Sequence, residues 1–334
     1  MASSEFVEPF NRLLEQVATP QATRRTEALG SMAGEPLWGE IEASGFLDAL
    51  VGDAEGGAGL SLADAGPLLQ ALGRNAVCAP VGETMIARAL LAAAGLDRPS
   101  GPIVLATLEG RETPPVPLAR LAQHLLVQSG DQLVLAPASA FRLAPSGVHG
   151  SLDAQVSWAQ APGGPSFTAE PGALRAAAAV LRATAIAGAA DRLLEMTVDY
   201  ANARVQFGKP IGKLQAIQQQ LAVMAEQTIA ARIAAQLGCS AGLPPPRAFA
   251  AIAKLVTSEA AAEVARIAHA THGAIGVSEE FDLQLYTRRL YEWRLADGSE
   301  RYWAGLIGAE RLADAQQTSV DFVRGLAVSK PKPA

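Results

Sequence analysis

The feature that most constrains the fold of this chain is a long Ala-rich helical pattern that ends at Arg204 and resumes near Gln215. Between the two lies the segment Phe207-Gly208-Lys209-Pro210-Ile211-Gly212. Its glycines can adopt backbone angles that are closed to other residues, and its proline fixes its own φ and disfavours helix at Lys209. The sequence therefore predicts two helices joined by a tight, well-defined elbow.

The elbow carries polar groups that suit an anion. Arg204 stands at the end of the first helix, and the second helix opens near Gln215 with unpaired N–H groups and the positive end of its dipole. The alternative is that Arg204 only caps its own helix. The residues alone leave these two interpretations equally open.

The composition indicates a soluble protein with a sizeable core. Of 334 residues, 49% are hydrophobic, which allows one large domain or a few subdomains. The net charge of −6 argues against a nucleic-acid partner, because no basic cluster is present to neutralise phosphates. Cys78 and Cys239 give neither a disulfide framework nor a metal spacing and suit a reducing cytoplasm, and the four histidines are scattered.

Neither a signal peptide nor a membrane span is expected. The first residues include acidic side chains and no apolar run. The Ala-rich stretch 176–190 is interrupted by Arg182 and closed by Asp191, so it is interpreted as too short and too charged to cross a bilayer.

The hydrophobic pattern changes twice and predicts a mainly α protein with a small β-domain. Residues 1–98 have the apolar spacing of helices, including a second helix over Leu37, Ile41 and Phe46-Leu47. Residues 99–170 contain short apolar runs, two of which flank a Gly-Asp turn and predict a hairpin. Residues 171–325 return to helix, with apolar stripes on four long helices that make a bundle.

Several local patterns have a structural interpretation. The Gly-Gly-Ala-Gly run at 56–59 is a weak phosphate-loop candidate, because no strand precedes it at the spacing of a dinucleotide fold, and Ser61 is the better assignment as a helix N-cap. Ser278 is likewise expected to cap the helix that follows it. His272 is expected to be structural, and Trp158 to be a packing residue.

The spacing Arg204-x-x-Phe207-Gly208-x-Pro210-Ile211-x-x-x-Gln215 resembles the acyl-CoA dehydrogenase family, flavoproteins that oxidise the Cα–Cβ bond of acyl-CoA thioesters. The resemblance implies that this segment reaches across a subunit interface to the FAD of the neighbouring subunit. Gly273-Ala274-Ile275-Gly276 resembles the family's Gly-Gly-x-Gly segment near the adenosine end of FAD, with Ala274 in place of the second Gly. The cofactor-binding residues that the resemblance implies are Arg204, Gln206, Phe207, Gln215, Gly273, Ala274 and Ser299.

Oxidation at Cα–Cβ requires a base for the Cα proton, and the family usually supplies a Glu in a Tyr-Glu-Gly-Thr turn. Alignment on the Gly makes Ala296-Asp297-Gly298-Ser299 the matching turn and Asp297 the candidate base. Asp is shorter than Glu by about 1.5 Å, a displacement that costs roughly a hundredfold in rate unless the backbone or substrate shifts. The alternative is that Asp297 only caps the last helix.

Arg288-Arg289 is either a solvated basic face or a contact to CoA or another subunit.

Two functions follow from the resemblance. The first is a subunit of an FAD-dependent acyl-CoA dehydrogenase that forms a homo- or hetero-oligomer, a dimer or tetramer, the hetero-oligomer being with a related longer subunit. The substrate class that the resemblance suggests is a bulky or steroid-side-chain acyl-CoA, and the expected electron acceptor is an electron-transfer flavoprotein. The β-domain, which is shorter than in the family, suggests a subunit that pairs with the longer one. The second is a non-catalytic partner subunit that keeps the interface but has lost flavin and base. The substitutions at Ala270, Ala274 and Asp297 favour this alternative.

Overall fold

The computed structural model describes residues 2–32, 36–110 and 113–328. Most of these residues are helical, and the strands are short. The helices are α1 (Ala2–Val17), α2 (Pro20–Leu29), α3 (Pro36–Ala43), α4 (Leu62–Arg74), α5 (Val81–Ala93), α6 (Ala173–Ala203), α7 (Gln215–Cys239), α8 (Arg247–His272), α9 (Leu283–Leu295), α10 (Glu300–Leu312) and α11 (Ser319–Val328). The strands are β1 (Ile103–Thr107), β2 (His124–Ser129), β3 (Gln132–Pro137), β4 (Arg142–Pro145), β5 (Ala154–Ser157), β6 (Ser166–Thr168), β7 (Val205–Gln206) and β8 (Lys209–Pro210).

Helix α6 is the centre of the helical part and packs against α4, α7, α8 and α9. Its small residues allow close approach to α4: a Cβ added at Gly188 would lie 2.0 Å from the Gln70 carbonyl oxygen. A Cβ added at Gly73 would lie 1.9 Å from the Ala185 carbonyl oxygen. The prediction of helices in close contact on a face of small residues is confirmed, as is the mainly α fold.

The β-segment forms two small sheets. In the first, β2 pairs in parallel with β1 and antiparallel with β3, which pairs antiparallel with β6. The β2–β3 pair is the predicted hairpin, with Val127 opposite Val134. The second sheet consists of β4 and β5. Trp158 packs against the apolar cluster between these strands, in agreement with its predicted packing role.

The largest apolar core draws on all three segments of the chain. Phe10 of α1, Leu126 of β2, Leu174 of α6 and Trp303 of α10 belong to one cluster of buried residues. The three segments therefore share one core, and the domain boundaries 1–98, 99–170 and 171–325 stay predictions.

Of the two predicted serine caps, one is confirmed and one is wrong. The Ser61 hydroxyl accepts a hydrogen bond from the Asp64 N–H at 3.1 Å and caps α4. Ser278 does not cap α9, which begins at Leu283 and has Asp282 as its N-cap residue. The Ser278 hydroxyl instead accepts a hydrogen bond from the Glu280 N–H at 3.1 Å, within the turn before the helix.

The N-terminal helices also differ from the prediction. The second predicted helix is divided into α3 and a 3₁₀ turn at Phe46–Asp48, because Gly45 between them adopts a left-handed φ of 80°. The sequence pattern did not indicate helix α2, which Thr19 caps and Pro20 opens.

Helix α6 is longer than the stretch 176–190 and is long and apolar enough to cross a membrane by length and composition. However, 89% of its most apolar window is buried inside the protein. Such burial is typical of the core helix of a soluble protein.

Candidate functional site

The elbow after α6 is a small β-hairpin. Val205 and Gln206 pair with Lys209 and Pro210, and the two turn residues Phe207 and Gly208 both have positive φ, 52° and 76°. This is the geometry of a type I′ turn. A bulky residue rarely adopts a left-handed φ, and holding one there costs about 1–3 kcal/mol. The sequence predicted a tight joint but not a hairpin.

The predicted cofactor-binding side chains of the elbow point away from the body of the chain. Phe207 is 87% exposed, and Arg204, Gln206 and Gln215 are also exposed. The Arg204 backbone N–H bonds to the Tyr200 carbonyl, but its guanidinium has no hydrogen bond or ion pair within the described residues. These side chains are therefore free to contact another molecule.

The segment at Gly273 and Ala274 lies at the same end of the helical bundle as the elbow. His272, the last residue of α8, stacks on Tyr200 of α6 with ring centroids 4.4 Å apart, and its carbonyl accepts a hydrogen bond from the Tyr200 hydroxyl. Gly273 and Ala274 follow directly and are exposed. The buried His272 ring bonds to the Ala268 carbonyl, which supports its structural role.

Asp297 lies in the turn between α9 and α10 with a left-handed φ of 56°. Its side chain is only 12% exposed, and the carboxylate accepts a hydrogen bond from Arg182 Nε at 3.1 Å. Ser299 is the N-cap residue of α10 and makes no side-chain capping bond. The side chain of Asp297 therefore serves an ion pair, and the interpretation of Asp297 as a helix cap is wrong.

Arg182 joins two carboxylates from distant parts of the chain. Its Nη2 lies 2.6 Å from Glu83 Oε1 of α5, and both side chains are almost completely buried. Although burial opposes the charged form, the Glu83 and Asp297 carboxylates together raise the pKa of Arg182. The guanidinium thus stays charged and fixes the orientation of Asp297.

Lys254 holds the backbone of the same turn. Its buried ammonium donates hydrogen bonds to the Arg294 carbonyl at 2.8 Å, the Gly298 carbonyl at 2.9 Å and the Ser258 hydroxyl at 3.0 Å. Burial lowers the pKa of Lys254 to about 7, against the opposing effect of the nearby Asp297 carboxylate. Two buried side chains therefore support the turn, Arg182 through the Asp297 carboxylate and Lys254 through the backbone carbonyls of Arg294 and Gly298.

Asp297 also lines a cleft of about 210 Å³ between the β-segment and the bundle. Ligand sites commonly measure about 300–1,000 Å³, so this cleft suits a short part of a ligand. Its other walls come from the end of β1, the Pro-rich segment 114–117, Arg175 and Tyr302.

The candidate base and the elbow are far apart. Arg182, which contacts Asp297, precedes Arg204 by 22 residues (204 − 182) along the continuous helix α6 and the residue that ends it. At a rise of 1.5 Å per residue, the separation is about 33 Å. The fold therefore does not bring Asp297 and Ser299 to the same site as Arg204, Gln206, Phe207 and Gln215 within one chain.

Arg288 and Arg289 are not a solvated basic face. Arg289 is buried and lies 2.9 Å from Glu27, which also pairs with Arg288 at 2.7 Å. These ion pairs connect α9 to α2, so the two arginines have partners within the chain.

Sequence reasoning missed Glu83, Arg182 and Lys254 as parts of the Asp297 turn. The available signal was one cation within an otherwise apolar stretch of each of two helices, Arg182 in 176–190 and Lys254 in 248–258, since a buried Arg or Lys requires polar partners. The sequence does not indicate which partners these are.

The chain is similar to known proteins over most of its length. Residues 174–312 match the family described as "Acyl-CoA dehydrogenase, C-terminal domain". The acyl-CoA dehydrogenase IpdE2 of Mycobacterium tuberculosis is 33% identical over 292 residues, covering 84% of this chain and 87% of that protein.

The fold is shared with solved structures, two of which are the following. A variant of the Tcur3481-Tcur3483 steroid ACAD has a TM-score of 0.79 at 23% identity, covering 94% of this chain and 99% of that one. A ChsE4-ChsE5 complex from Mycobacterium tuberculosis has a TM-score of 0.75 at 20% identity, covering 94% of this chain and 98% of that one. At these identities the likeness shows the fold alone.

Proposed function

Since the chain belongs to the acyl-CoA dehydrogenase family, we propose that it is a subunit of a heteromeric, FAD-dependent acyl-CoA dehydrogenase in the cytoplasm. The observation that carries the proposal is the exposed elbow, where the Arg204 guanidinium has no partner within the described residues and Phe207 is held in a strained conformation. A related longer subunit would supply most of the flavin site.

The residues of the elbow fit the cofactor. The Arg204 guanidinium suits a pyrophosphate, the exposed Phe207 ring offers a flat apolar surface, and Gln206 and Gln215 offer amide groups. At Gly273, a Cβ would meet no atom within 4 Å, so a ligand can approach the backbone there and at Ala274. Bound FAD would supply the acceptor for the hydride that leaves Cβ.

Asp297 is the proposed base for the Cα proton, with Ser299 beside it. Asp297 lines the cleft, and Arg182 holds one of its carboxylate oxygens so that the other is oriented. The proposed substrate is an acyl-CoA with a bulky or steroid-side-chain acyl group, a class suggested by the steroid ACAD among the structural neighbours. The proposed electron acceptor is an electron-transfer flavoprotein.

The second candidate is a non-catalytic partner subunit. The ion pair between Asp297 and Arg182 favours it, because it gives the buried carboxylate a structural partner within the chain. In this case the chain would contribute the elbow and the assembly interface only.

A visible spectrum of the chain co-purified with its longer partner tests the proposal. We expect flavin absorbance that an acyl-CoA bleaches. Arg204→Ala should release flavin while the fold is retained, because the guanidinium has no partner within the described residues. Arg142→Ala, at another exposed arginine, is the matched control and should retain flavin. A colourless complex, or flavin retained in Arg204→Ala, would contradict the proposed role of the elbow.

A further inference from the structure

We propose that Arg175 binds an anionic oxygen of the substrate, either a carboxylate on the acyl group or a phosphate of CoA, and that Glu109 occupies this position in the free protein. The inference rests on the proposed function, because it concerns the ligand of the Asp297 cleft.

Arg175 is held in place by an aromatic residue. Its Nη1 donates a hydrogen bond to the Tyr302 hydroxyl at 3.0 Å, and its guanidinium carbon lies 5.1 Å from the centre of the Tyr302 ring. The Arg175 side chain is only 14% exposed. Contacts with a ring and a hydroxyl orient the guanidinium without neutralising it.

The charged partner of Arg175 is easily displaced. Glu109 Oε1 lies 2.7 Å from Arg175 Nη1, but the Glu109 side chain is 68% exposed. An exposed ion pair is worth at most about a fivefold change in an equilibrium constant. A ligand carboxylate or phosphate that forms two hydrogen bonds with the guanidinium can therefore replace Glu109 at small cost.

The position of Arg175 points to the substrate. Two adjoining clefts share Thr107, Glu109, Arg175 and Tyr302, and the first of them also contains Asp297. Within the described residues that line this first cleft, Arg175 is the sole cation, while Asp297 has its own partner in Arg182. An anionic group that enters beside Asp297 would thus meet Arg175.

Isothermal calorimetry on the complex with the longer partner tests this inference. Three ligands separate the sources of the anion: succinyl-CoA, butyryl-CoA, which has the same number of acyl carbons but no terminal carboxylate, and CoA itself. The variants are Glu109→Gln, Arg175→Met and the control Glu15→Gln, which changes an exposed carboxylate on α1.

We expect Glu109→Gln to tighten binding about three- to fivefold, because it removes the internal competitor. Arg175→Met should weaken binding roughly 10- to 100-fold, and Glu15→Gln should have no effect. Effects confined to succinyl-CoA identify an acyl carboxylate, whereas equal effects on all three ligands identify a CoA phosphate.

Unchanged or weaker binding in Glu109→Gln would overturn the inference, even if Arg175→Met fails to fold. Calorimetry does not depend on flavin reduction, so failure of this inference is distinct from failure of the proposed dehydrogenation, which flavin bleaching reports.

Discussion

Arg182 is a charged residue in an apolar helix, and its partners Glu83 and Asp297 come from distant parts of the chain. We expect Arg182→Met to lower the free energy of unfolding by about 3–5 kcal/mol, because two buried carboxylates lose their cation. Urea unfolding at fixed protein concentration measures this change. The triple variant that adds Glu83→Gln and Asp297→Asn should recover part of the lost free energy of unfolding. If Arg182→Met alone lowers the free energy of unfolding by less than about 1 kcal/mol, the cluster is solvated.

Asp297→Asn separates the two candidate functions. Asparagine keeps an oxygen that can accept the Arg182 hydrogen bond, so the fold and flavin binding should be retained while substrate bleaching is lost. Retained bleaching at the wild-type rate would eliminate Asp297 as the base. Stopped-flow absorbance at the flavin band gives the rate.

At the scale of elements, the contact between α4 and α6 leaves no room for a methyl group at Gly188, which would lie 2.0 Å from the Gln70 carbonyl oxygen. We expect Gly188→Ala to destabilise the protein by about 1–3 kcal/mol, since the two helix backbones must separate. The control is Gly305→Ala in α10, where a Cβ meets no atom within 4 Å. The control should be neutral or stabilising by up to about 1 kcal/mol. Thermal unfolding of both variants decides the comparison.

The long helices could be predicted from the sequence because α6, α7 and α8 have sustained apolar spacing and marked ends. The hairpin of β7 and β8 could not, since strands of two residues have no period to detect. Ser278 was misassigned as a cap because capping residues also occur in the turn before a helix, and the true start of α9 lies at Leu283.

At the scale of the whole molecule, the elbow was predictable because its residues are consecutive, whereas the Asp297 site was predictable only in part. Asp297 and Arg182 are 115 residues apart, and no local pattern indicates that they meet. Burial and charge pairing of this kind depend on tertiary packing, which no local pattern in the sequence reveals.

The three segments of the chain meet at a buried carboxyl group, Asp153, which precedes β5. It lies in a small cavity with Glu27 of α2 and with Arg289 and Glu292 of α9. Burial raises the pKa of Asp153 to about 7, with a further contribution from Glu292, while the Leu118 N–H, Arg182 and Arg289 act in the opposite direction. The folded protein therefore keeps a proton that the unfolded chain releases near about pH 4.

This proton makes the free energy of unfolding dependent on pH. Because the folded state binds more protons than the unfolded state between about pH 4 and pH 7, the stabilisation from Asp153 is complete below about pH 4 and is lost as the pH rises through about 7. Asp153→Asn mimics the protonated form and cannot titrate, so its stability relative to the wild type should increase from about pH 5 to pH 8 by about 1–4 kcal/mol. Thermal unfolding of both proteins across this range measures the difference, and a difference independent of pH would show that Asp153 is ionised throughout.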